Sequence, residues 1–438
     1  MRERLEHCVH CGFCLPVCPT YRRLGDEADS PRGRLHFMRA VVEWRLSPAS
    51  DAFQRHIDRC LGCRACEPVC PSGVEYGALL ELARDTAARH RPPGWMTRAL
   101  LWTFRRAGPR RAFLLAGRIA RETGAAALGA RWLPGWGAEG VGRARLAMAM
   151  LAGSGAWREL RRVGSPAKET GTPTADSRAD GPPVAAPPRP RTVALLDGCV
   201  QAGLFGRVNR ATRRVLEANG YRVVPAPGQG CCGALHAHGG ALADARALAR
   251  ANIEAFEESG VEWIAVNAAG CGAAMKEYGG LLSGYPAYAE RVERLAGKVG
   301  DVTELLVKAG PRAGAPVPLD VAYDAPCHLL HAQGIARAPL DVLAQIPELR
   351  VNEVRNADEC CGGAGLYGLT HRELGGRIGA DKVAAVRETH AAVVATGNPG
   401  CMMQIGAGLR LSGDRTGVVH PVELLDESYR RAGYYEEG

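Results

Sequence analysis

The apolar positions of this 438-residue chain fall into two spacings, and the alternation between them occurs twice. "TVALLDGC" is a short apolar run ending on Cys199, followed by Leu204, Val208, Ala211 and Val215 at helical spacing and by Gly220, which suits the residue just past a helix end. "YRVVP" and "EWIAVN" are β-branched and aromatic runs that suit buried parallel strands. The predicted order is strand, helix, strand, helix, strand. A second run, "DVAYDAPC", ends on Cys327, 128 residues after Cys199, and the text beyond it follows the same plan. "CCG" at Cys231 and Cys232 answers to "CCGG" at Cys360 and Cys361, Cys271 in "NAAGCGAAM" to Cys401 in "GNPGCMMQ", and "DVTELL" to "HPVELL". A period this long predicts two homologous α/β domains rather than a solenoid. Their cysteines should lie at strand ends and in loops, where α/β folds gather binding sites.

Ahead of this repeat the pattern is helical. Ser30 can cap, Pro31 suits a first helical turn, and Leu35, Met38 and Val42 share a face; "DAFQRHIDRC" continues helically into Cys60. Residues 91–165 hold fourteen Arg, no Lys and three Glu, a local charge of +11 against +9 for the whole chain. Trp95, Trp102, Phe104, Phe113, Trp132 and Trp136 stand among those arginines. Such a segment reads as solvated helices, or as a surface for an anionic membrane or an acidic partner. A nucleic-acid surface is not expected, because no binding motif accompanies the charge. "TGTPTADSRADGPPVAAPPRPR" has no apolar periodicity and reads as a flexible linker. The expected fold class is multidomain α and α/β: a helical module over 1–90, a basic helical segment over 91–169, a linker over 170–191, and α/β domains over 192–316 and 317–438.

Composition narrows the class. An apolar fraction of 46% with 23% charged residues is that of a soluble globular protein. No apolar run reaches the roughly 18–20 residues of a spanning helix, and the start, "MRERLEHC", lacks the apolar core of a secretory signal. The expected location is the cytoplasm, or the inner face of the cytoplasmic membrane as a peripheral protein. Sixteen cysteines, clustered, in a reducing compartment point to metal ligands rather than disulfides.

Two runs carry the sharpest signal. "CVHCGFCLPVCP" from Cys8 and "CLGCRACEPVCP" from Cys60 share the spacing C-x-x-C-x-x-C-x-x-x-C-P. Three thiolates from one such loop wrap one face of a [4Fe–4S] cube, and the fourth, before proline, ligates the other cluster in two-cluster ferredoxins. Cys8, Cys11, Cys14 and Cys70 are therefore assigned to one cluster, and Cys60, Cys63, Cys66 and Cys18 to the other. Zinc is the competing occupant, but it uses two cysteine pairs split by a longer loop. The helical spacer between the runs predicts a helical two-cluster ferredoxin module rather than a compact βαββαβ one. Arg32, Arg34 and Arg59 are expected either near the clusters, raising their potentials, or on the surface.

The repeats supply a second constellation: Cys199, Cys231, Cys232 and Cys271, then Cys327, Cys360, Cys361 and Cys401. Adjacent cysteines can face one metal centre, and glycines such as Gly230, Gly233, Gly270, Gly272, Gly362, Gly363 and Gly400 allow close backbone approach. An additional iron–sulfur or zinc centre is one reading, and buried idle thiols are the other. His236, His238, His328 and His331 are placed to ligate metal or relay protons, though loop histidines commonly do neither. "GAGLYG" follows a cysteine loop rather than a strand, so it is not read as a dinucleotide site. No P-loop, H-E-x-x-H, hydrolase elbow or flavin pattern occurs, so no catalytic residue and no FAD are expected in this chain.

Two ferredoxin runs followed by two CCG domains resemble the iron–sulfur subunits of respiratory 2-hydroxy-acid dehydrogenases. "CVHCGFCLPVCPTY", "SPRGRL", "APCHLLHAQGI", "CCGGAGLY", "GNPGCMMQI" and "HPVELL" resemble the glycolate oxidase iron–sulfur subunits within them. The resemblance implies an electron-transfer subunit, not catalytic alone, that accepts electrons from a separate FAD-containing 2-hydroxy-acid oxidase subunit. It passes them toward a membrane quinone. In heterodisulfide reductases, which the chain also resembles, a further cysteine completes a C-x-x-C in the CCG domain; here Ala274 and Gln404 stand at those positions. The alternatives are a heterodisulfide-reductase-like or lactate-utilisation-type subunit acting on a disulfide or quinone, and an iron–sulfur sensor or scaffold that binds nucleic acid.

Overall fold

Two four-stranded parallel sheets with one topology organise the computed structural model, which describes residues 2–134, 139–155 and 191–435. The first sheet is built from β1 (Arg191–Leu195), β2 (Tyr221–Val223), β3 (Trp263–Val266) and β4 (Val299–Asp301), in the order β2-β1-β3-β4. The second is built from β5 (Leu319–Tyr323), β6 (Leu349–Asn352), β7 (Val393–Ala395) and β8 (Gly417–Val419), in the order β6-β5-β7-β8. In both, the strand order reverses between the first and third strands, and a crevice opens there beyond the carboxyl ends.

The pattern-based expectation needs three corrections. Each sheet has a fourth strand, β4 or β8, only three residues long and flanked by helix signals, too short to show a period. β2 is an edge strand, with Arg222 exposed, rather than a buried one. The helical spacing from Leu204 to Val215 is interrupted at Phe205, where the Val200–Leu204 helix ends and the Gly206–Ala218 helix begins.

The sheets share a core, with Val193 and Leu195 of β1 and Val321, Val393 and Val394 of the second sheet in one buried cluster. Their packing is reciprocal. The helix after β1, Gly206–Ala218, packs on Pro421–Arg431 after β8, and the helix after β4, Val302–Ala309, packs on Ala338–Ala344 after β5. Equivalent elements thus exchange roles, as about a twofold axis. Arg207 to Glu423 at 2.7 Å and Arg214 to Asp426 at 2.6 Å fix the first of these contacts.

The N-terminal module is helical. Ser30 caps Pro31–Val42 by accepting from the Gly33 amide at 2.9 Å, and Pro31 takes the first helical position. Leu35 and Met38 enter a core with Phe53 and Ile57 of Asp51–Asp58 and Leu79, Leu80 and Ala83 of Tyr76–His90, while Val42 is half-buried against it. The module is tied to both CCG repeats. Arg64 pairs with Glu277, the Arg84 guanidinium donates to the His238 carbonyl at 3.0 Å, and the Tyr367 hydroxyl donates to the Arg59 carbonyl at 2.7 Å.

The basic segment forms the helices Trp95–Arg105, Ala107–Glu122, Ala125–Trp132 and Glu139–Gly153. Of the stretch read as a linker, residues 170–190 lie outside the described residues. The last of these helices crosses Pro399–Leu411 with glycine against glycine: a Cβ on Gly153 would stand 2.7 Å from the Gly406 carbonyl carbon, and one on Gly406 3.0 Å from the Gly153 oxygen. Gly406→Val should therefore force these helices apart, destabilising the chain by about 1–3 kcal/mol. Urea unfolding measures the loss, and limited proteolysis should cut the basic segment earlier than in the unmodified chain.

Candidate metal centres

The two thiol loops have one backbone plan. In the first, His10 (φ +56°) and Gly12 (φ +88°) bracket Cys11; in the second, Gly62 (φ +71°) and Arg64 (φ +65°) bracket Cys63. Left-handed residues on both sides of the central cysteine bend each loop round a common point. The first loop is open: Cys11, Val9 and Phe13 are exposed. Cys8, Cys11, Cys14 and Cys70 line one cavity with Leu35, Val74 and Tyr76, and Cys66 reaches its far wall. The second loop is closed, with Cys60, Cys63, Cys66 and Cys18 all buried. None of the sixteen thiols is paired in a disulfide. The Gly62 amide points at the Cys60 sulfur at 3.4 Å and the Val74 amide at the Cys70 sulfur at 3.5 Å. Grouped free thiols with amides directed at sulfur are what iron–sulfur clusters require, so the residues present fit two such groups.

A buried charge network stands behind the second loop. Asp29 and Arg34 are fully buried and paired at 3.2 Å, and Asp29 also meets His56 Nδ1 and the Arg59 guanidinium, each at 3.0 Å. Arg34 donates to the His56 carbonyl at 2.6 Å and to Thr20 Oγ1 at 3.1 Å, and Thr20 Oγ1 lies 3.2 Å from the Cys18 sulfur. Arg34 is thus neither a surface arginine nor a distant one, whereas Arg32 pairs with Glu27 and donates to the His10 carbonyl. Burial pushes the Cys60 thiol up, but Arg34, Arg84, the Tyr76 hydroxyl and the Gly62 amide outweigh it and hold Cys60 below its ordinary value. Cys63 and Cys66 are pushed well above theirs by burial; Cys327 next to Cys63, and Cys63 and Cys60 next to Cys66, add to the effect. Cys14 is pushed up to about 11, chiefly by burial.

In each CCG domain three loops at the carboxyl end of the sheet bring four sulfurs together. Cys199 follows β1, Cys231 and Cys232 follow β2, and Cys271 opens the Ala269–Lys276 helix after β3. The second domain repeats this with Cys327, with Cys360 and Cys361, and with Cys401 in the first turn of Pro399–Leu411. Cys231 is held well below the ordinary thiol value by hydrogen bonds from Cys199 and Cys232. Cys361 is also held low, by its side-chain hydrogen bonds with Cys360 and Cys401, the Cys361 and Cys401 sulfurs lying 3.2 Å apart. The topological switch point of each sheet is therefore a thiol pocket.

The two pockets differ. Beside the second lies Lys382, buried, 2.9 Å from Asp324 and donating to the carbonyls of Asn356 and Ala357. Burial works against its charge, and Asp324 outweighs this, holding the ammonium above its ordinary value. In the first domain the neutral Asn252 bonds the Cys231 carbonyl at 2.9 Å and the Gly230 amide at 2.8 Å. Sequence reading passed over Lys382; its signal is a charge on the buried stripe of Ile378 and Val386. The second pocket also adjoins the N-terminal module, since Leu61, Cys63 and Ala65 form one buried cluster with Cys327, Cys360 and Tyr367. Gln404 packs against this pocket with its Oε1 buried and unpartnered, whereas Ala274 lines a small gap with His238 and His328.

The histidines divide. His328 Nδ1 lies 3.5 Å from the Cys327 sulfur, and its ring packs 5.3 Å from that of His238, which pairs with Glu81. His236 bonds the Leu101 carbonyl at 2.9 Å and stands beside Cys231. His331 bonds the Asp358 carbonyl instead. A cleft of about 630 Å³, lined by Arg84, Trp95, Tyr367 and His371, opens on the Arg59 and Cys60 side of the second loop.

Removing Lys382 would leave Asp324 buried without its cation. Lys382→Met should destabilise the chain by about 3–5 kcal/mol, and the double change with Asp324→Leu by much less; chemical denaturation followed by circular dichroism distinguishes the two.

A 4Fe-4S dicluster domain family matches residues 4–74, and a cysteine-rich domain family matches residues 193–276 and 321–406. A probable glycolate oxidase iron–sulfur subunit of Bacillus subtilis (strain 168) is 35% identical, over 99% of this chain and 96% of that protein. The glycolate oxidase iron–sulfur subunit of Escherichia coli (strain K12) is 33% identical over 98% and 95%. Lactate utilization protein A of an Exiguobacterium species is 29% identical over 55% of this chain and 99% of its own length. With both modules matched and the likeness running the length of the chain, it belongs to the family of glycolate oxidase iron–sulfur subunits.

Proposed function

We propose that the chain transfers electrons within a glycolate-oxidising complex, receiving them from a separate FAD-containing subunit and passing them toward a membrane quinone. One observation carries this reading: thiol sites follow one another from the surface inward. The exposed Cys11 and its neighbours Cys8, Cys14 and Cys70 would hold one [4Fe–4S] cluster, and the buried Cys18, Cys60, Cys63 and Cys66 the next. Beyond Cys63 lies Cys327 of the second CCG pocket. Such clusters, when bound, take up and release single electrons. Around them the chain does the rest. Exposed Val9 and Phe13 offer an apolar rim where a partner can approach, and buried Arg34 offsets negative charge at Cys18 and Cys60. The second CCG pocket is also the one with a buried cation, Lys382, facing its thiols, so it is the better candidate for a third centre.

Among the described residues we find no constellation that would hold flavin or deprotonate a hydroxy acid. The isolated chain should therefore contain no flavin and oxidise no glycolate, and activity should appear on adding the flavoprotein. Stoichiometric flavin in the purified chain, with turnover, would overturn the division of labour. Iron and labile sulfide, measured on anaerobically purified protein, should each reach about eight per chain from the N-terminal module alone. Cys360→Ser should remove any metal above that number and slow electron delivery, leaving the low-temperature EPR signals of the N-terminal clusters unchanged. Identical metal content and delivery rate in the variant would leave the CCG thiols without a redox role.

A further inference from the structure

Three consecutive helices of the basic segment bury apolar side chains on one side and expose further large apolar ones on the other. A helix of a water-soluble protein turns its apolar stripe inward. In Ala107–Glu122 the inward face is made by Leu114, by Gly117 against Leu151 and Leu204, and by Arg121, which donates to the Leu204 carbonyl at 2.7 Å. Ala112, Leu115, Ala116 and Ile119, spaced by three and four residues, lie on the outer face with Phe113 beside them, and Arg111 and Arg118 flank it. Leu115 and Ile119 are 56% and 53% exposed.

The neighbouring helices do the same. Trp95–Arg105 buries Leu101 and Phe104 and exposes Trp95 and Trp102; Ala125–Trp132 buries Ala126 and Ala130 and exposes Leu128 and Trp132. Seven of the seventeen large apolar side chains exposed among the described residues lie between residues 95 and 132. Residues 91–134 hold nine arginines, no lysine and a single acidic residue, Glu122. Arg106 sits over the Trp102 ring at 4.6 Å and Arg131 over Trp132 at 5.4 Å.

We infer that this face seats the chain on an anionic phospholipid bilayer, with the three helices lying in the plane of the interface. Tryptophan rings with arginine over them suit the headgroup level, where an apolar body and a charged tip are both satisfied. Leu115, Ile119 and Leu128 reach the acyl boundary. Arg91, Arg105 and Arg118 pair with Asp51, Asp244 and Glu122, and the positive charge that remains matches lipid phosphates. Among the described residues no helix is long and apolar enough to cross a membrane, so the contact is one of lying on the surface. An acidic protein would pair the arginines, but apolar side chains spread over three helices and interleaved with arginine are better covered by a fluid surface. The inference stands apart from the identity of the redox partners.

The test is co-sedimentation of the full chain with vesicles of phosphatidylcholine alone or mixed with phosphatidylglycerol. The chain should bind the anionic vesicles, and binding should weaken as salt is raised. Leu115→Glu combined with Ile119→Glu should lower the partition coefficient by about tenfold or more. Val351→Glu, at an exposed position on β6, should leave it unchanged, and circular dichroism and visible absorbance should match the unmodified chain in both variants. No preference for anionic vesicles, or a double variant that binds like the unmodified chain, would overturn the inference. So would loss of association with the flavoprotein in the double variant where the unmodified chain shows no vesicle binding, since the face would then be a protein interface.

Discussion

A guanidinium with no exposure to water holds the N-terminal module together. Arg34 could not remain buried alone; Asp29 supplies its counter-charge, and the His56 carbonyl and Thr20 hydroxyl each accept a hydrogen bond from it. Because Asp29 also engages His56 and Arg59, this pair joins the segment after Cys18 to the helix entering Cys60. Two loops far apart in sequence are thereby brought to one thiol site. The same charge lies next to Cys18 and Cys60, so the interaction that fixes the fold also sets the electrostatics of the site.

Duplication gave the CCG half two equivalent pockets, and packing made them unequal. Each sheet reverses its strand order at the same place, so each presents four sulfurs at its carboxyl end. The second pocket meets the thiol loop of the N-terminal module directly, with Leu61, Cys63 and Ala65 in one buried cluster with Cys327 and Cys360, and it has the buried Lys382; the first meets that loop through Arg64 and Glu277. The first keeps the same framework with neutral Asn252 in support. Both copies pack on the redox module, the first through Arg64 with Glu277 and Arg84 with the His238 carbonyl, the second with its cysteines in the contact, and their surroundings differ accordingly.

The basic segment is anchored on one side and bare on the other. Gly153 against Gly406 allows helix backbones to touch, and Arg121 and Leu114 complete the inner contact. The outer side carries rings, aliphatic side chains and arginines that no other part of the described residues covers. That side is continuous with Trp95 at the rim of the cleft beside Cys60, so the bare face and the buried thiol loop lie on neighbouring parts of the molecule.

Spacing alone determined much of this protein. Thiol loops with two-residue gaps, a proline after the fourth cysteine, and a run of text repeated 128 residues on are one-dimensional facts, and they led to the helical module, to the duplicated α/β domains and to the cysteines of each pocket. Ser30 and Pro31 announced their helix because capping is local. β4 and β8 were not legible, since three residues carry no period and are strands only because a parallel neighbour supplies their hydrogen bonds. The burial of Arg34 and of Lys382 was not legible for the same reason: what makes a buried cation tolerable is a carboxylate brought close by the fold, Asp29 in one case and Asp324, 58 residues away, in the other. The meeting of Cys63 with Cys327, and the outward turn of Leu115 and Ile119, likewise depend on which surfaces pack together. The sequence determines which side chains are available, and the tertiary structure decides which of them are screened from water and by what.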